Sequence, residues 1–125
     1  MTSGLLRPGS ERLGALTSDE ALVSALVDVE TAWLAVLGLP SDLEVPGAAA
    51  LNPHLEQAGN PVVPLLAALR DDAPAQLHKG LTSQDTLDTA LMLMAQTVRR
   101  RVIADAEVLC ADLARLAADH RDSLM

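Results

Sequence analysis

Apolar side chains recur every three or four positions along three stretches of the chain, which is the spacing of one face of an α-helix. In the first stretch this face contains Leu22, Leu26, Val29, Trp33 and Leu37. Thr17 and Glu20 stand at the two positions of a capping box before this face. Gly38 and Pro40 supply a stop after it. The pattern therefore predicts a first helix from about residue 17 to residue 37.

The second stretch is shorter and is preceded by a segment rich in proline and glycine. Proline or glycine, which interrupt helices, occurs every few positions in residues 40–60. We therefore predict only a short helix there, from about His54 to Ala58. Asn60 and Pro61 then have the residue types of a helix cap and a first helical position. The spacing predicts a further helix that runs from Pro61 to Arg70.

The third stretch is the longest and most regular. Thr82 and Asp85 match a capping box, and no glycine or proline follows Gly80. We predict one helix from about Ser83 to about His120, with a length of roughly 55 Å. A compact domain of 125 residues would have a diameter of only roughly 35 Å. The apolar residues of the helix fall mostly three or four apart and form a seam that contains Leu87, Leu91, Met94, Val98, Val102, Leu109, Leu113 and Leu116. We therefore expect this seam to be buried by something outside the sequence, either the rest of a longer helical protein or a helical oligomer.

Composition narrows the fold and the function classes. Leucine and alanine are abundant, whereas valine and isoleucine are few and Trp33 is the single aromatic residue, which favours helices over sheets. The net charge of −8 argues against nucleic acid as a partner. Cys110 is the only cysteine and cannot form an internal disulfide. The longest apolar runs are six residues, far short of the ~20 that a membrane span needs, so we expect a soluble cytoplasmic protein with no membrane partner.

Residues 77–85 form the one dense cluster of functional side chains. Thr82 and Ser83 place two hydroxyls and several free N–H groups at a helix N-terminus, which is a natural cradle for a carboxylate. His78 and Lys79 add positive charge beside it, and Gly80 permits a tight turn. The same residues also fit an ordinary capped helix start after a basic loop, so local physics leaves both interpretations open.

Other candidate sites receive less support. The three histidines are too far apart in sequence for a zinc motif, and no nucleotide or phosphate loop is present, so we predict neither metal nor cofactor. Residues 99–101 are three arginines that we expect on the solvent face of the long helix, with Asp105 or a neighbour's Asp88 as ion-pair partners. We expect Cys110 to be buried beside the apolar seam.

Two blocks resemble a known family. Residues 78–93, which read His-Lys-Gly-Leu-Thr-Ser-Gln-Asp and continue Thr-Leu-Asp-Thr-Ala-Leu-Met-Leu, resemble the first signature of the fumarase/aspartase superfamily. Together with residues 59–65, they most resemble the 3-carboxy-cis,cis-muconate cycloisomerases within it. The resemblance covers most of residues 15–125, includes Glu30 on the first helix, and is thinnest at residues 38–57.

The resemblance implies an all-α fold, a small helical N-terminal domain followed by the first long helix of a central helical bundle. On this basis residues 1–16 form an N-terminal arm, residues 17–81 the helical domain, and residues 82–125 the start of the bundle, truncated here. Family members are several times longer and assemble as homotetramers in which three subunits each contribute one signature to a site. The serine usually credited as the catalytic base lies in a signature expected beyond Met125, so we expect this chain alone to be inactive.

The resemblance also implies an activity. Cycloisomerases of this family convert 3-carboxy-cis,cis-muconate to 4-carboxymuconolactone in protocatechuate degradation by the β-ketoadipate pathway, so the expected ligand is a small anionic polycarboxylate. The candidate substrate-binding residues are Thr82, Ser83, Gln84, His78, Lys79 and Asn60. His78 is also the only candidate for a catalytic residue, whereas Asp85 is expected to cap its own helix.

Two alternatives remain. One is a fumarate-eliminating lyase like adenylosuccinate lyase, against which Asn60 and Gln84 count because the purine-pathway lyases tend to have histidine at the position of Asn60. The other is a non-catalytic helical dimerisation module, which explains the seam but leaves residues 78–85 with no role beyond capping.

Overall fold

The computed structural model describes residue 9 and residues 12–123, and all regular structure in that part of the chain is helical. A 3₁₀-helix at Gly14–Thr17 is followed by α1 (Asp19–Val36), α2 (Ala48–Ala58), α3 (Val62–Leu69) and α4 (Ser83–Asp119). The predicted all-α class is confirmed. Most of the predicted N-terminal arm lies outside the described residues. The division into two domains at residue 82 stays a prediction.

The cap of helix α1 lies one residue later than the sequence pattern suggests. The side chain of Ser18 is its cap and accepts a hydrogen bond from the Ala21 N–H at 3.2 Å. Thr17 belongs to the preceding 3₁₀-helix, where its hydroxyl donates to the Leu13 carbonyl at 3.3 Å. The predicted capping role of Thr17 was therefore wrong, because a cap needs extended backbone and Ser18 has it.

Helix α2 is longer than predicted, since it begins at Ala48 rather than His54 and includes Pro53 in its interior. Proline removes one helical hydrogen bond and normally breaks a helix. Here Ala48 and Leu51 are buried in the core, and their burial holds the first turn in place. Gly59, with a φ of 71°, ends the helix in the left-handed conformation that glycine adopts most easily.

The core lies where α1 packs along the first half of α4, with α2 and α3 covering it. Its fully buried members include Leu26, Leu65 and Val62, and α4 contributes Ala90. Burying one such large apolar side chain contributes roughly 1.5–3 kcal/mol. This packing fixes α1 against the N-terminus of α4, the place where the candidate residues meet.

The second half of α4 extends away from this core. Every residue from 99 to 123 is exposed, including Val102, Leu109, Leu113 and Leu116 of the predicted seam. Cys110 is exposed as well, so its predicted burial does not occur within this chain. Arg101 donates to Asp105 at 2.9 Å, as predicted for the solvent face. Within the described residues, no helix combines the length and the apolar character that crossing a membrane requires.

Candidate functional site

The segment that connects α3 to α4, residues 70–82, is hydrogen-bonded to α1 through Trp33. The Trp33 indole N–H donates to the Lys79 carbonyl at 2.8 Å. Gly80 has a φ of 93°, and a Cβ added there would lie 3.2 Å from Cζ2 of Trp33. The apolar face of the first helix includes Trp33, but the ring lies against this segment rather than in the core and is only partly buried. Its polar edge needs a partner, and the Lys79 carbonyl supplies one.

His78 makes a short polar contact with the fully buried side chain of Glu30. Its Nδ1 lies 2.7 Å from Oε1 of Glu30, a side chain with no exposed area, while the His78 side chain keeps 18% of its own exposed. Thr86 donates to the same Oε1 at 3.2 Å. The backbone of His78 is left-handed, with a φ of 61°, a conformation that costs a non-glycine residue about 1–2 kcal/mol.

The partnership of Glu30 with His78 was missed by the sequence analysis, although a signal for it exists. Glu30 lies four residues from both Leu26 and Leu34, so it falls on the buried face of α1. A carboxylate at such a position requires a buried partner. The sequence does not show which partner, because His78 is 48 residues away.

The N-terminus of α4 has the predicted capping box. The Thr82 hydroxyl donates to Oδ2 of Asp85 at 2.7 Å, and the Asp85 N–H donates back to the hydroxyl oxygen at 3.1 Å. The Thr82 hydroxyl lowers the pKa of the Asp85 carboxyl, and the Thr82 backbone N–H and the charge of nearby His78 act in the same direction. The Thr82 hydroxyl hydrogen is thus committed to Asp85, and its role toward a substrate stays a prediction.

Ser83 and Gln84 supply the donors that remain open at this helix end. Among the described residues, the backbone N–H groups of Ser83 and Gln84 donate no hydrogen bond. The Gln84 side-chain amide donates one hydrogen to Asp88 at 2.7 Å, which leaves its second hydrogen available. The two backbone N–H groups point along the helix dipole and suit an anion.

A cleft of about 590 Å³ opens beside His78. Its lining includes the basic side chains of His78, Lys79 and Arg70, and apolar side chains such as Leu66 and Leu77; no acidic residue lines it. Arg70 was not singled out from the sequence, because its position after α3 predicts only a helix end. The cleft therefore presents positive charge over an apolar floor, which suits an organic anion.

Asn60 lies elsewhere on the structure. Its side-chain oxygen accepts hydrogen bonds from the N–H groups of Val62 at 3.0 Å and Val63 at 3.3 Å, which confirms the predicted cap. It lies at the opposite end of α3 from Arg70, about 12 Å of helix away. Its predicted contact with substrate stays a prediction. Within residues 9 and 12–123, no group of three or more His, Cys, Asp or Glu side chains is arranged to hold a metal ion.

Comparison with characterised proteins identifies several relatives. The chain is 35% identical to nitrosuccinate lyase of Streptomyces davaonensis over 98% of this chain and 31% of that protein. It is 29% identical to N-acetyl-S-(2-succino)cysteine lyase of Dickeya dadantii over 94% of this chain and 30% of that protein. It is 37% identical to 3-carboxy-cis,cis-muconate cycloisomerase of Bradyrhizobium diazoefficiens over 62% of this chain and 19% of that protein.

The chain thus spans about a third of the length of the first two relatives. No family model matches the chain. No solved structure matches it.

Proposed function

The chain belongs to the fumarase/aspartase superfamily, and from this premise we propose that the whole protein adds or eliminates a group at the carbon–carbon bond beside a substrate carboxylate. The substrate class is a small polycarboxylate. The observation that carries the proposal is the cluster of donors at the N-terminus of α4, where the open N–H groups of Ser83 and Gln84 follow His78 and Lys79.

The chemistry of such a reaction explains why these donors are needed. Elimination removes a proton from the carbon beside a carboxylate, and negative charge then accumulates on the carboxylate oxygens. Addition passes through the same charge distribution in reverse. Donors fixed in place around those oxygens stabilise the transition state more than the ground state. In a chain with a net charge of −8, local donors are also required to bind an anion at all.

For the specific activity, we propose the cycloisomerisation of 3-carboxy-cis,cis-muconate to 4-carboxymuconolactone, a step of protocatechuate degradation. One substrate carboxylate oxygen forms a bond to a double-bond carbon, and a proton is added to the carbon beside another carboxylate, so the product is an isomer. Residues 59–65 and 78–93 support this assignment through their resemblance to cycloisomerases, as does the relative from Bradyrhizobium diazoefficiens.

A second candidate is the elimination of a substituent from a substituted succinate. A base takes a proton from one carbon of the succinate, the substituent leaves the adjacent carbon with the bonding electron pair, and fumarate forms. The observation that favours this reaction is the fraction of this chain that aligns with each relative. The nitrosuccinate lyase aligns over 98% of this chain, and the cycloisomerase over 62%.

We also propose that the complete site needs more than this chain. The exposed seam formed by Val102, Leu109, Leu113 and Leu116 is the surface on which other copies of the protein would pack, in a homotetramer. The catalytic base would come from a part of the protein outside this chain. The isolated chain is accordingly expected to show no turnover.

The proposal is tested with the whole enzyme and both substrate classes. With 3-carboxy-cis,cis-muconate, a cycloisomerase removes the absorbance of the conjugated diene. With nitrosuccinate or a succino-thioether, an elimination produces the absorbance of fumarate. Turnover of one class identifies the substrate. A correctly assembled enzyme that converts neither class would refute the proposed function.

A further inference from the structure

The carboxylate of Glu30 is energetically unfavourable at its position. It is the only ionisable side chain among the described residues that is completely buried, and it lies on the face of α1 where Leu26 and Leu34 pack. Burying a carboxylate costs several kcal/mol unless hydrogen bonds and an opposite charge compensate it. His78 and Thr86 share Oε1, while Oε2 has no partner among the described residues. A leucine at this position would cost less, so the carboxylate calls for a reason beyond stability.

The contact with Glu30 determines how His78 presents its ring. The Nδ1 of His78 lies 2.7 Å from Oε1 of Glu30, and if Glu30 is ionised it only accepts hydrogen bonds, so that Nδ1 would carry the proton of this bond. Nε2 is then the ring nitrogen that remains for a ligand. Because His78 also lines the cleft beside Arg70 and Lys79, the remaining ring edge is next to the basic side chains.

The backbone supports the same interpretation. His78 has a left-handed φ of 61°, and strain of this kind persists where surrounding contacts enforce it, often at functional sites. Glu30 holds the ring, and Trp33 holds the next residue through the Lys79 carbonyl. Two contacts from α1 thus hold the His78 side chain and the backbone of the residue that follows it.

We propose that Glu30 is a positioning residue, which holds the His78 ring by Nδ1 so that the ring, when both nitrogens carry a proton, donates from Nε2–H to a carboxylate group of the substrate at the cleft. This role rests on the proposed function for its substrate. The geometric part, the fixed ring and its protonated Nδ1, concerns this chain alone and is tested without any substrate.

The first test is the two-bond ¹H–¹⁵N NMR spectrum of the histidine rings in the 125-residue chain. At a pH where the exposed His54 and His120 are neutral, His78 should carry a proton on Nδ1. The Glu30→Leu variant should move that proton to Nε2. Glu30→Gln should keep it on Nδ1, because the amide oxygen still accepts. Thr86→Val, which removes the other donor to Oε1, should also keep it. A wild-type His78 protonated on Nε2 alone overturns the proposal.

The second test is kinetic and uses the whole enzyme. Glu30→Leu should lower kcat/KM roughly tenfold or more, the size of one lost hydrogen bond to a charged group. Glu30→Gln should recover most of this loss. In the His78→Asn variant, asparagine still tolerates the left-handed backbone. The double variant with Glu30→Leu and His78→Asn should have a kcat/KM only slightly lower than that of His78→Asn alone. Additive losses, or wild-type kinetics for Glu30→Leu, overturn the positioning role.

The two tests separate this proposal from the proposed function. If the wild-type enzyme converts neither a carboxymuconate nor a substituted succinate, the proposed function fails. The NMR result then still decides whether Glu30 fixes the His78 ring. If the enzyme is active but the NMR spectrum shows His78 protonated on Nε2 alone, the positioning role is refuted while the proposed function stands.

Discussion

The indole N–H of Trp33 donates to the carbonyl oxygen of Lys79 at 2.8 Å, although the two residues are 46 positions apart. This bond fastens the segment that carries His78 to α1, and the Trp33 ring lies against Gly80. Because Trp33 is the only tryptophan in the chain, its fluorescence reports directly on the state of this segment.

Gly80→Ala should destabilise the segment. The new Cβ would lie 3.2 Å from Cζ2 of Trp33, on a backbone with a φ of 93°. We expect a loss of about 1–3 kcal/mol in the free energy of unfolding, measured by urea titration, together with an altered Trp33 emission in the native state. Gly38→Ala is the matched control, since Gly38 also has a positive φ, of 71°, with nothing within 4 Å of the added Cβ. An unaltered native emission for Gly80→Ala would contradict the contact.

Ser83→Ala keeps the backbone N–H and tests whether the Ser83 hydroxyl binds a substrate carboxylate. In the whole enzyme we expect kcat/KM to fall by roughly 10- to 100-fold, the loss of one hydrogen bond to a charged group, with assembly unchanged by light scattering. Ser24→Ala, a serine in the middle of α1, is the control and should retain wild-type kinetics. Wild-type kinetics for Ser83→Ala as well would show that the Ser83 hydroxyl makes no contact with the substrate.

Acid should weaken the capping box in a predictable direction. The two hydrogen bonds from Thr82 and the charge of His78 lower the pKa of Asp85. A carboxyl whose pKa is lowered by folding stabilises the folded state above its unfolded value of about 3.9. That contribution is lost as the pH falls from there through the lowered pKa. Helix content and melting temperature, followed by circular dichroism, should therefore decline in that acid range.

Asp85→Asn removes the group responsible for this part of the acid profile. The variant should be less stable than wild type at neutral pH, and the difference should shrink below about pH 3.9. Asp42→Asn is the control, because Asp42 is an exposed carboxylate in the connection before α2. A constant difference between Asp85→Asn and wild type at all pH values would contradict the prediction.

The exposed half of α4 should make the isolated chain self-associate. Leu109 and Leu113 are 58% and 55% exposed, and apolar patches of this kind drive association. We expect the apparent mass in multi-angle light scattering to rise with concentration. Leu109→Glu with Leu113→Glu should abolish this rise.

Arg100→Glu changes the net charge by the same amount as the double leucine variant but lies on the opposite face of α4, since residues 100 and 109 are about 180° apart on a helix. It should leave association intact. A monomeric wild-type chain at every concentration, or equal effects of the two variants, would show that the seam is not the associating surface.

Local features of the sequence predicted much of the fold. The Thr82–Asp85 capping box, the Asn60 cap and the long helix after Gly80 were found from short-range patterns, and the structure has all three. These predictions succeed because capping hydrogen bonds connect residues within three positions of each other. The candidate segment at residues 78–85 was located for the same reason.

Tertiary packing decided the remainder. It extends α2 through Pro53, because Ala48 and Leu51 are buried. It joins Glu30 to His78 and Trp33 to Lys79, pairs that are 48 and 46 positions apart and that form only when α1 packs on α4. The sequence by itself thus determined the helices and their caps, through local hydrogen bonding and periodicity. Only the tertiary structure determined which side chains meet, because burial and long-range packing set those partners.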